Sequence, residues 1–214
     1  MDADSYQACE LCPRRCKARR ASGRAGFCGM TSELRVARSA LHFWEEPPIS
    51  GEAGSGAIFF SGCPLRCVFC QNHEISGEGF GLPVTRSRLS EMMLELEAQG
   101  ALNINLVTAL HYAPDVRQAV LDARAAGLTL PIVCNTSGYE NPEVVRAMAD
   151  VVDVWLPDFK YADPALAGSL SAAPDYPDVA AAALGAMVAD LREKGGRKEG
   201  PDGRLERGIV VRHL

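Results

Sequence analysis

The chain has 214 residues, of which 47% are hydrophobic, and its formal net charge is −5 at pH 7. This length and apolar content suffice for one large domain with a buried core, and no run of eighteen apolar residues predicts a membrane span. The acidic balance argues against a protein that binds nucleic acid over its whole surface. The first residues lack the basic-then-apolar pattern of an export signal, so we expect a cytoplasmic protein with no membrane partner.

Three zones follow one another along the chain. Residues 1–35 are rich in cysteine and basic side chains and form a predicted metal-binding extension. Residues 36–56 contain the stretch "EEPPISGEAGSG" and are predicted to be a connector. Residues 57–214 alternate short apolar runs with helical patterns and form the predicted main domain.

The alternation in the main domain predicts βα units. The predicted strands are 56–62, 102–108, 128–135, 151–158 and 207–214, and the predicted helices are 87–100, 113–127, 141–150 and 176–195. The third helix has Asn141 as its predicted N-cap and Pro142 at its first position. Strands that alternate with helices of this length form a parallel sheet, either open or closed into a barrel. In both architectures the chemistry lies at the carboxyl ends of the strands.

Three cysteines, Cys63, Cys67 and Cys70, follow the first predicted strand with the spacing C-x3-C-x2-C. A structural zinc site requires four protein ligands. Three thiolates from one loop can instead each hold one iron of a [4Fe–4S] cluster, which leaves the fourth iron open to a small molecule. Two alternatives remain open at this point: Cys134 as a fourth ligand, and a zinc site completed by His73.

Several motifs resemble one family. The stretches "SGCPLRCVFCQNHEIS", "CNTSGYE", "LPDFKY" and "VVRHL", together with the N-terminal "CELCPRRCKARRASGRAGFCG", resemble the radical S-adenosylmethionine superfamily. Within it they are similar to the uncharacterised branch related to pyruvate formate-lyase activating enzymes. The resemblance implies a partial (β/α) barrel that binds a [4Fe–4S] cluster and S-adenosylmethionine. Against this family the chain, which stops just after "VVRHL", looks C-terminally short.

The resemblance also implies an activity and partners. One electron from the reduced cluster would cleave S-adenosylmethionine into methionine and a 5′-deoxyadenosyl radical, which abstracts a hydrogen atom. The electron would come from a donor such as flavodoxin or ferredoxin, and the substrate could be a glycyl-radical protein. Such cofactors carry the difficult chemistry, while the protein places them and excludes water.

Four residues are assigned to S-adenosylmethionine by the same resemblance. Asn135 and Ser137 end the third predicted strand, Lys160 lies in "DFKY" and Arg212 lies in "VVRHL". The two cations would be charge-assisted donors, with Lys160 binding the methionine carboxylate and Arg212 approaching the cofactor. The alternatives are a simple turn at "NTSG", a solvated lysine, or an ion pair between Lys160 and Asp158. The glycine-rich stretch that the superfamily has after its second strand is replaced here by "NLVTALHY".

The N-terminal zone holds four more cysteines, Cys9, Cys12, Cys16 and Cys28. Four thiolates in a small segment can form a structural zinc site or a second iron–sulfur cluster. The segment has too few apolar residues to fold alone, so metal binding would supply folding energy. The basic residues around the cysteines indicate either a nucleic-acid patch or compensation of thiolate charge, and the acidic remainder of the chain favours compensation.

Three functions are compatible with these observations. The first is a radical S-adenosylmethionine enzyme, the second a non-catalytic iron–sulfur electron-transfer protein, and the third a zinc-scaffolded nucleic-acid-binding module. The loop with three rather than four cysteines favours the enzyme, because only an incomplete ligand set leaves iron open to a substrate. The negative net charge weighs against the third function.

Overall fold

The computed structural model describes residues 3–213 of the chain and contains one sheet of eight strands. The strands are β1 (Arg35–His42), β2 (Ser55–Phe60), β3 (Leu82–Pro83), β4 (Ile104–Val107), β5 (Ile132–Thr136), β6 (Val154–Pro157), β7 (Lys198–Glu199) and β8 (Leu205–Ile209). Their order is β3-β1-β2-β4-β5-β6-β8-β7, and β2, β4, β5, β6 and β8 are parallel. Antiparallel strands form both edges, so the sheet is not closed into a barrel.

Helices lie between most of the consecutive strands. They are α1 (Pro47–Ser50), α2 (His73–Ser76), α3 (Arg86–Ala98), α4 (Ala113–Ala125), α5 (Pro142–Met148), α6 (Pro164–Ser171) and α7 (Tyr176–Glu193). Single 3-10 turns occupy Ala3–Tyr6, Arg20–Ser22 and Leu110–Tyr112. The five predicted strands and four predicted helices of the main domain are confirmed, with ends that shift by a few residues. The α/β class and the parallel core are therefore as the alternation predicts.

The main core lies between the sheet and the long helices. Along β5, Ile132 and Cys134 belong to this core, while Val133 faces the opposite side of the sheet, as the two-residue period of a strand requires. Buried Trp155 of β6 donates a hydrogen bond to Asp190 of α7 over 2.8 Å. This bond fixes the long helix against the sheet without leaving the indole N–H unpaired.

The range 36–56, predicted to be a connector, contains regular structure. Residues Arg35–His42 form β1, which pairs with β2, and Pro47–Ser50 form α1. Most of β1 is only partly buried, so it shows no continuous apolar run, and the prolines and glycines after residue 46 dominate the composition of the range. The sequence analysis did not find this strand, and the division into 1–35, 36–56 and 57–214 stays a prediction.

The cysteine-rich extension packs on the helices. Tyr6 donates from its hydroxyl to Asp115 of α4 over 2.8 Å, and Asn141 donates from its side-chain amide to the carbonyl of Glu10 over 2.6 Å. Asn141 stands at the N-cap of α5 with Pro142 next to it, as predicted, but its side chain bonds the extension and does not cap the helix. In the part of the chain that the structure describes, no helix is long and apolar enough to cross a membrane.

Candidate functional site

The three-cysteine loop leaves the carboxyl end of β2. Ser171 at the end of α6 donates from its hydroxyl to the sulfur of Cys67 over 2.9 Å. The Cys70 sulfur lies 3.2 Å from the Ser76 hydroxyl, and the Cys63 sulfur accepts from a backbone N–H over 3.4 Å. Each sulfur therefore has a polar hydrogen atom available nearby, which is the environment that stabilises a thiolate ligand.

Burial opposes the ionised form of these thiols. It raises the pKa of Cys63 to about 12. Burial also raises the pKa of Cys67, and the Ser171 hydroxyl and the Lys160 ammonium offset part of that increase. Because metal ligation requires thiolates, binding a metal here would release protons and would become tighter as the pH rises.

The three thiols of the loop are a donor set that suits iron, because each thiolate can hold one iron of a [4Fe–4S] cluster. Among residues 3–213, no three histidine, cysteine, aspartate or glutamate side chains form a group that could hold a single metal ion. Cys134 is fully buried in the core, and His73 is exposed beside Glu78. Neither of the two alternative fourth ligands is therefore favoured by its placement.

A buried carboxylate joins the strand ends. The side chain of Glu45, which follows β1, is only 9% exposed. Its carboxylate accepts from the Asn105 amide over 2.7 Å, from the Asn135 amide over 3.1 Å and from Arg212 over 3.1 Å. The Glu45 carboxylate thus links the neighbouring strands β4 and β5 to the segment after β8. Sequence reasoning missed Glu45 because it lies in the predicted connector.

A second carboxylate holds both predicted cofactor-binding cations. Asp158, just after β6, accepts from Lys160 over 2.6 Å and from Arg212 over 2.8 Å. Arg212 also donates to the Asn135 side-chain oxygen over 2.7 Å. The structure therefore brings Asn135, Lys160 and Arg212 into one network at the carboxyl edge of the sheet. The ion pair of Lys160 with Asp158 was weighed as an alternative, and it is present.

Ser137 lies outside this network. Its hydroxyl accepts only a long bond from the Tyr139 N–H, at 3.4 Å, while its carbonyl accepts from the Tyr176 hydroxyl over 2.7 Å. The buried Tyr176 hydroxyl shares its one hydrogen between this carbonyl and the Asp158 carbonyl, 3.0 Å away, and accepts from the Lys160 N–H over 2.9 Å. Tyr176 therefore fixes the loops after β5 and β6 against each other. Gly138 has φ 77°, and a Cβ there would clash with Asp158.

Glu140 is a buried carboxylate that sequence reasoning also missed. It accepts one hydrogen bond, from the Thr136 hydroxyl over 2.7 Å, and burial raises its pKa to about 7. Its negative charge raises the pKa of Cys12 in the extension and of Cys63 in the loop. Glu140 therefore lies within electrostatic reach of both cysteine groups.

The extension contacts the cysteine loop directly. Arg14 donates to the Pro64 carbonyl over 2.8 Å and to the Ala172 carbonyl over 2.6 Å. Its guanidinium lies 4.1 Å from the centre of the Phe27 ring, and Arg66 of the loop donates to the Phe27 carbonyl. These contacts place the N-terminal cysteines beside the loop rather than in a separate module.

The fold and this site define an α/β protein with a cysteine loop at the carboxyl end of its first parallel strand. The model of the radical SAM superfamily matches residues 57–183, which is more than half of the chain. The chain belongs to the radical SAM superfamily. Membership implies an enzyme with a [4Fe–4S] cluster and S-adenosylmethionine, as predicted, whereas the relation to pyruvate formate-lyase activating enzymes stays a prediction.

A curated relative comes from Methanocaldococcus jannaschii. The chain is 28% identical over 181 residues to an uncharacterised protein of that organism, and the alignment covers 81% of this chain and 52% of the relative. The chain thus spans about half the length of the relative it matches.

Proposed function

We propose that this chain cleaves S-adenosylmethionine reductively at the edge where the cysteine loop meets the polar strand ends. The observation that carries this proposal is the contact between the segment of Lys160 and the cysteine loop. The hydroxyl of Tyr161, the residue after Lys160, bonds the Ser171 hydroxyl over 2.6 Å, and that hydroxyl donates to the Cys67 sulfur over 2.9 Å. A cation for a carboxylate and a cluster ligand are therefore neighbours. A molecule with a carboxylate and a reactive sulfonium needs that juxtaposition.

When bound, a [4Fe–4S] cluster supplies the electron that breaks the sulfonium C–S bond. The chain's own residues bind and orient the substrate. Lys160 has three N–H donors and uses one of them on Asp158, so two stay available for the methionine carboxylate. Arg212 uses three of its five N–H donors on Asp158, Glu45 and Asn135, which fix its position near Lys160, and two stay available for the cofactor.

The amide of Asn135 and the hydroxyl of Ser137 are proposed to contact the ribose or the methionine part of the cofactor. Support comes from their position at and just after the end of β5, next to the strand end that carries Lys160. Tyr176 would hold these two loops in register while the substrate binds.

The finer activity that we propose is formation of a glycyl radical on a partner protein. The cysteine loop and "LPDFKY" support it through their likeness to pyruvate formate-lyase activating enzymes. A flavodoxin or ferredoxin would supply the electron. For the four N-terminal cysteines we propose metal ligation, by zinc or by a second cluster. Their spacing supports it, as does the burial of Cys9, Cys12 and Cys28 near Arg20. A new organic-radical signal on a glycyl-radical protein, dependent on S-adenosylmethionine, would test the partner.

The central experiment compares three proteins after anaerobic reconstitution: the wild type, Cys63→Ala/Cys67→Ala/Cys70→Ala and Cys134→Ala. Iron and sulfide are counted, and 5′-deoxyadenosine is measured after reduction with S-adenosylmethionine present. We expect the triple variant to lose about four iron atoms per chain and all cleavage, and Cys134→Ala to keep both.

Two results would contradict the proposal. Cleavage that persists in the triple variant would remove the loop from the chemistry. A wild type that holds iron but whose spectrum does not respond to S-adenosylmethionine would indicate an electron carrier instead.

A further inference from the structure

The N-terminal cysteines surround a buried cation. Arg20 is 1% exposed, and its guanidinium donates to carbonyls of Met30, Thr31 and His111 and, over 3.5 Å, to the sulfur of Cys9. Within residues 3–213 no carboxylate forms an ion pair with it. A buried charge is costly unless an opposite charge accompanies it. Neutral carbonyls do not supply that charge, whereas metal-bound thiolates do.

The cysteines themselves are placed as a group. Cys9, Cys12 and Cys28 are buried, and Cys16 is exposed. A Cβ built on Gly26 would lie 3.3 Å from the Cys16 sulfur and 3.5 Å from the Cys28 sulfur, so these two thiols flank one small gap. Four thiols, of which three are buried and one is exposed, can enclose an inorganic centre. The exposed thiol leaves one side of that centre within reach of an electron donor at the protein surface.

Four thiolates can hold either one zinc ion or a [4Fe–4S] cluster. The neighbouring loop favours the cluster, because the family implies a [4Fe–4S] cluster there. Zinc has no redox chemistry, so only a cluster in the extension could exchange an electron with the loop.

The two groups are also in contact. Gly62, directly before Cys63, has φ 83°, and a Cβ on it would lie 2.7 Å from the carbonyl oxygen of Cys28 and would overlap the Met30 side chain. A ligand residue of the extension thus touches the backbone that leads into the loop. Arg14 ties the same two segments together through the Pro64 carbonyl.

We propose that Cys9, Cys12, Cys16 and Cys28 hold a second [4Fe–4S] cluster that relays electrons to the cluster of the three-cysteine loop. The relay rests on the proposed function, since it serves the cleavage of S-adenosylmethionine. When bound, the N-terminal cluster would accept one electron from a low-potential protein donor on the side of Cys16. It would pass that electron to the loop cluster and so return to its oxidised state. No covalent bond forms or breaks in the relay.

The first test counts metals and spins. The wild type, Cys12→Ala/Cys16→Ala and the loop triple variant are reconstituted anaerobically with iron, sulfide and zinc present. We expect about eight iron atoms per wild-type chain and about four in each variant. In the fully reduced wild type, the two neighbouring paramagnetic clusters should broaden each other's electron paramagnetic resonance spectra. Either variant should show the sharp spectrum of an isolated cluster.

Two results would overturn the proposal of a second cluster that relays electrons. About one zinc and four irons in the wild type would make the N-terminal centre structural. A wild-type spectrum equal to the sum of the two variant spectra would show that the clusters are not neighbours. A loop triple variant that keeps four irons leaves the second cluster standing while the proposed function is judged separately by its cleavage assay.

The second test separates the relay from a structural role. Cleavage of S-adenosylmethionine is driven either by reduced flavodoxin or by a small reductant such as titanium(III) citrate, which reaches an exposed loop cluster directly. Cys12→Ala/Cys16→Ala should lose at least tenfold in rate with flavodoxin and less than twofold with the small reductant. Arg15→Ala, an exposed neighbour, is the matched control and should lose neither. An equal loss with both reductants would refute the relay.

Discussion

The two cysteine groups of this chain differ in enclosure and in charge balance. In the extension, Cys9, Cys12 and Cys28 are buried around the buried cation of Arg20. In the loop, all three cysteines are half-buried, and their neighbours are serine hydroxyls and the Lys160 ammonium. An enclosed four-thiol set with its own cation suits a centre that stores charge. An incomplete set at an open sheet edge suits a centre that meets a substrate.

The largest expected effect is on the stability of the N-terminal cysteine group. Arg20→Met removes the buried cation and leaves the N-terminal thiolates uncompensated, which should cost about 3–5 kcal/mol of unfolding free energy. Where the proposed N-terminal cluster is bound, the variant should also lose its iron. Anaerobic denaturant unfolding with a metal count measures both.

Arg19→Met is the matched control, because Arg19 is an exposed neighbour in the same turn. It should change stability by less than about 0.5 kcal/mol. Equal stability of the two variants would mean that Arg20 balances no thiolate charge.

The contact between the two groups can be broken at Gly62. Gly62→Ala must adopt a left-handed φ and must displace the Cys28 carbonyl, so it should destabilise by about 2–4 kcal/mol. Gly100→Ala has a similar φ of 89° with open space around it, and should cost only about 1–2 kcal/mol. Thermal unfolding of both variants isolates the steric part. Equal losses of stability in the two variants would mean that the extension does not pack tightly against Gly62.

Glu140 links the two cysteine groups, because its charge acts on Cys12 of the extension and on Cys63 of the loop. Folding raises its pKa from 4.5 to about 7, so the folded state holds its proton to higher pH than the unfolded state. Stability should therefore fall as the pH rises from 4.5 to about 7, by on the order of 3 kcal/mol, and stay level above that.

Glu140→Gln should abolish this decrease and be more stable than the wild type at pH 8. Exposed Glu143→Gln is the control and should leave the pH profile as it is. Unfolding free energies at pH 5 and pH 8 give the answer. A profile in Glu140→Gln that matches the wild type would assign the pH dependence to other groups.

The smallest expected effect concerns the open site. Lys160→Ala or Arg212→Ala should weaken binding of S-adenosylmethionine by about tenfold to a hundredfold, since each removes a charge-assisted donor worth about 1.5–3 kcal/mol. Lys198→Ala, which removes a 60% exposed lysine, should leave affinity unchanged. Anaerobic titration measures the three dissociation constants. Unchanged affinity in both site variants would exclude these cations from the cofactor site.

Much of the fold followed from local patterns. Four of the five parallel strands, β2, β4, β5 and β6, are short and mostly apolar and are buried on both faces. The helices α3, α4 and α7 have proline or a polar cap at the start and glycine after the end. Such signals act within a few residues, so they can be read without knowing the tertiary structure. Strand β1 was not predicted because most of its residues are only partly buried. Its position in the sheet depends on pairing with β2, which leaves no apolar run in its own sequence.

The candidate site was predictable only in part. The spacing of Cys63, Cys67 and Cys70 carries its chemistry in one loop, so the sequence alone determined the cluster motif and the superfamily. Glu45 could not be found in this way, because its partners Asn135 and Arg212 are 90 and 167 residues away. Only folding brings such distant groups within hydrogen-bond distance, so no local sequence pattern predicts these contacts.

The same reason separates the two cysteine groups. The sequence determined that each is clustered, since neighbouring residues are close in any conformation. It did not determine that they touch, that Arg20 is buried among one of them, or that Lys160 acts on the other. Burial and charge depend on the packing of segments that are distant in the chain, so the tertiary structure alone decided them.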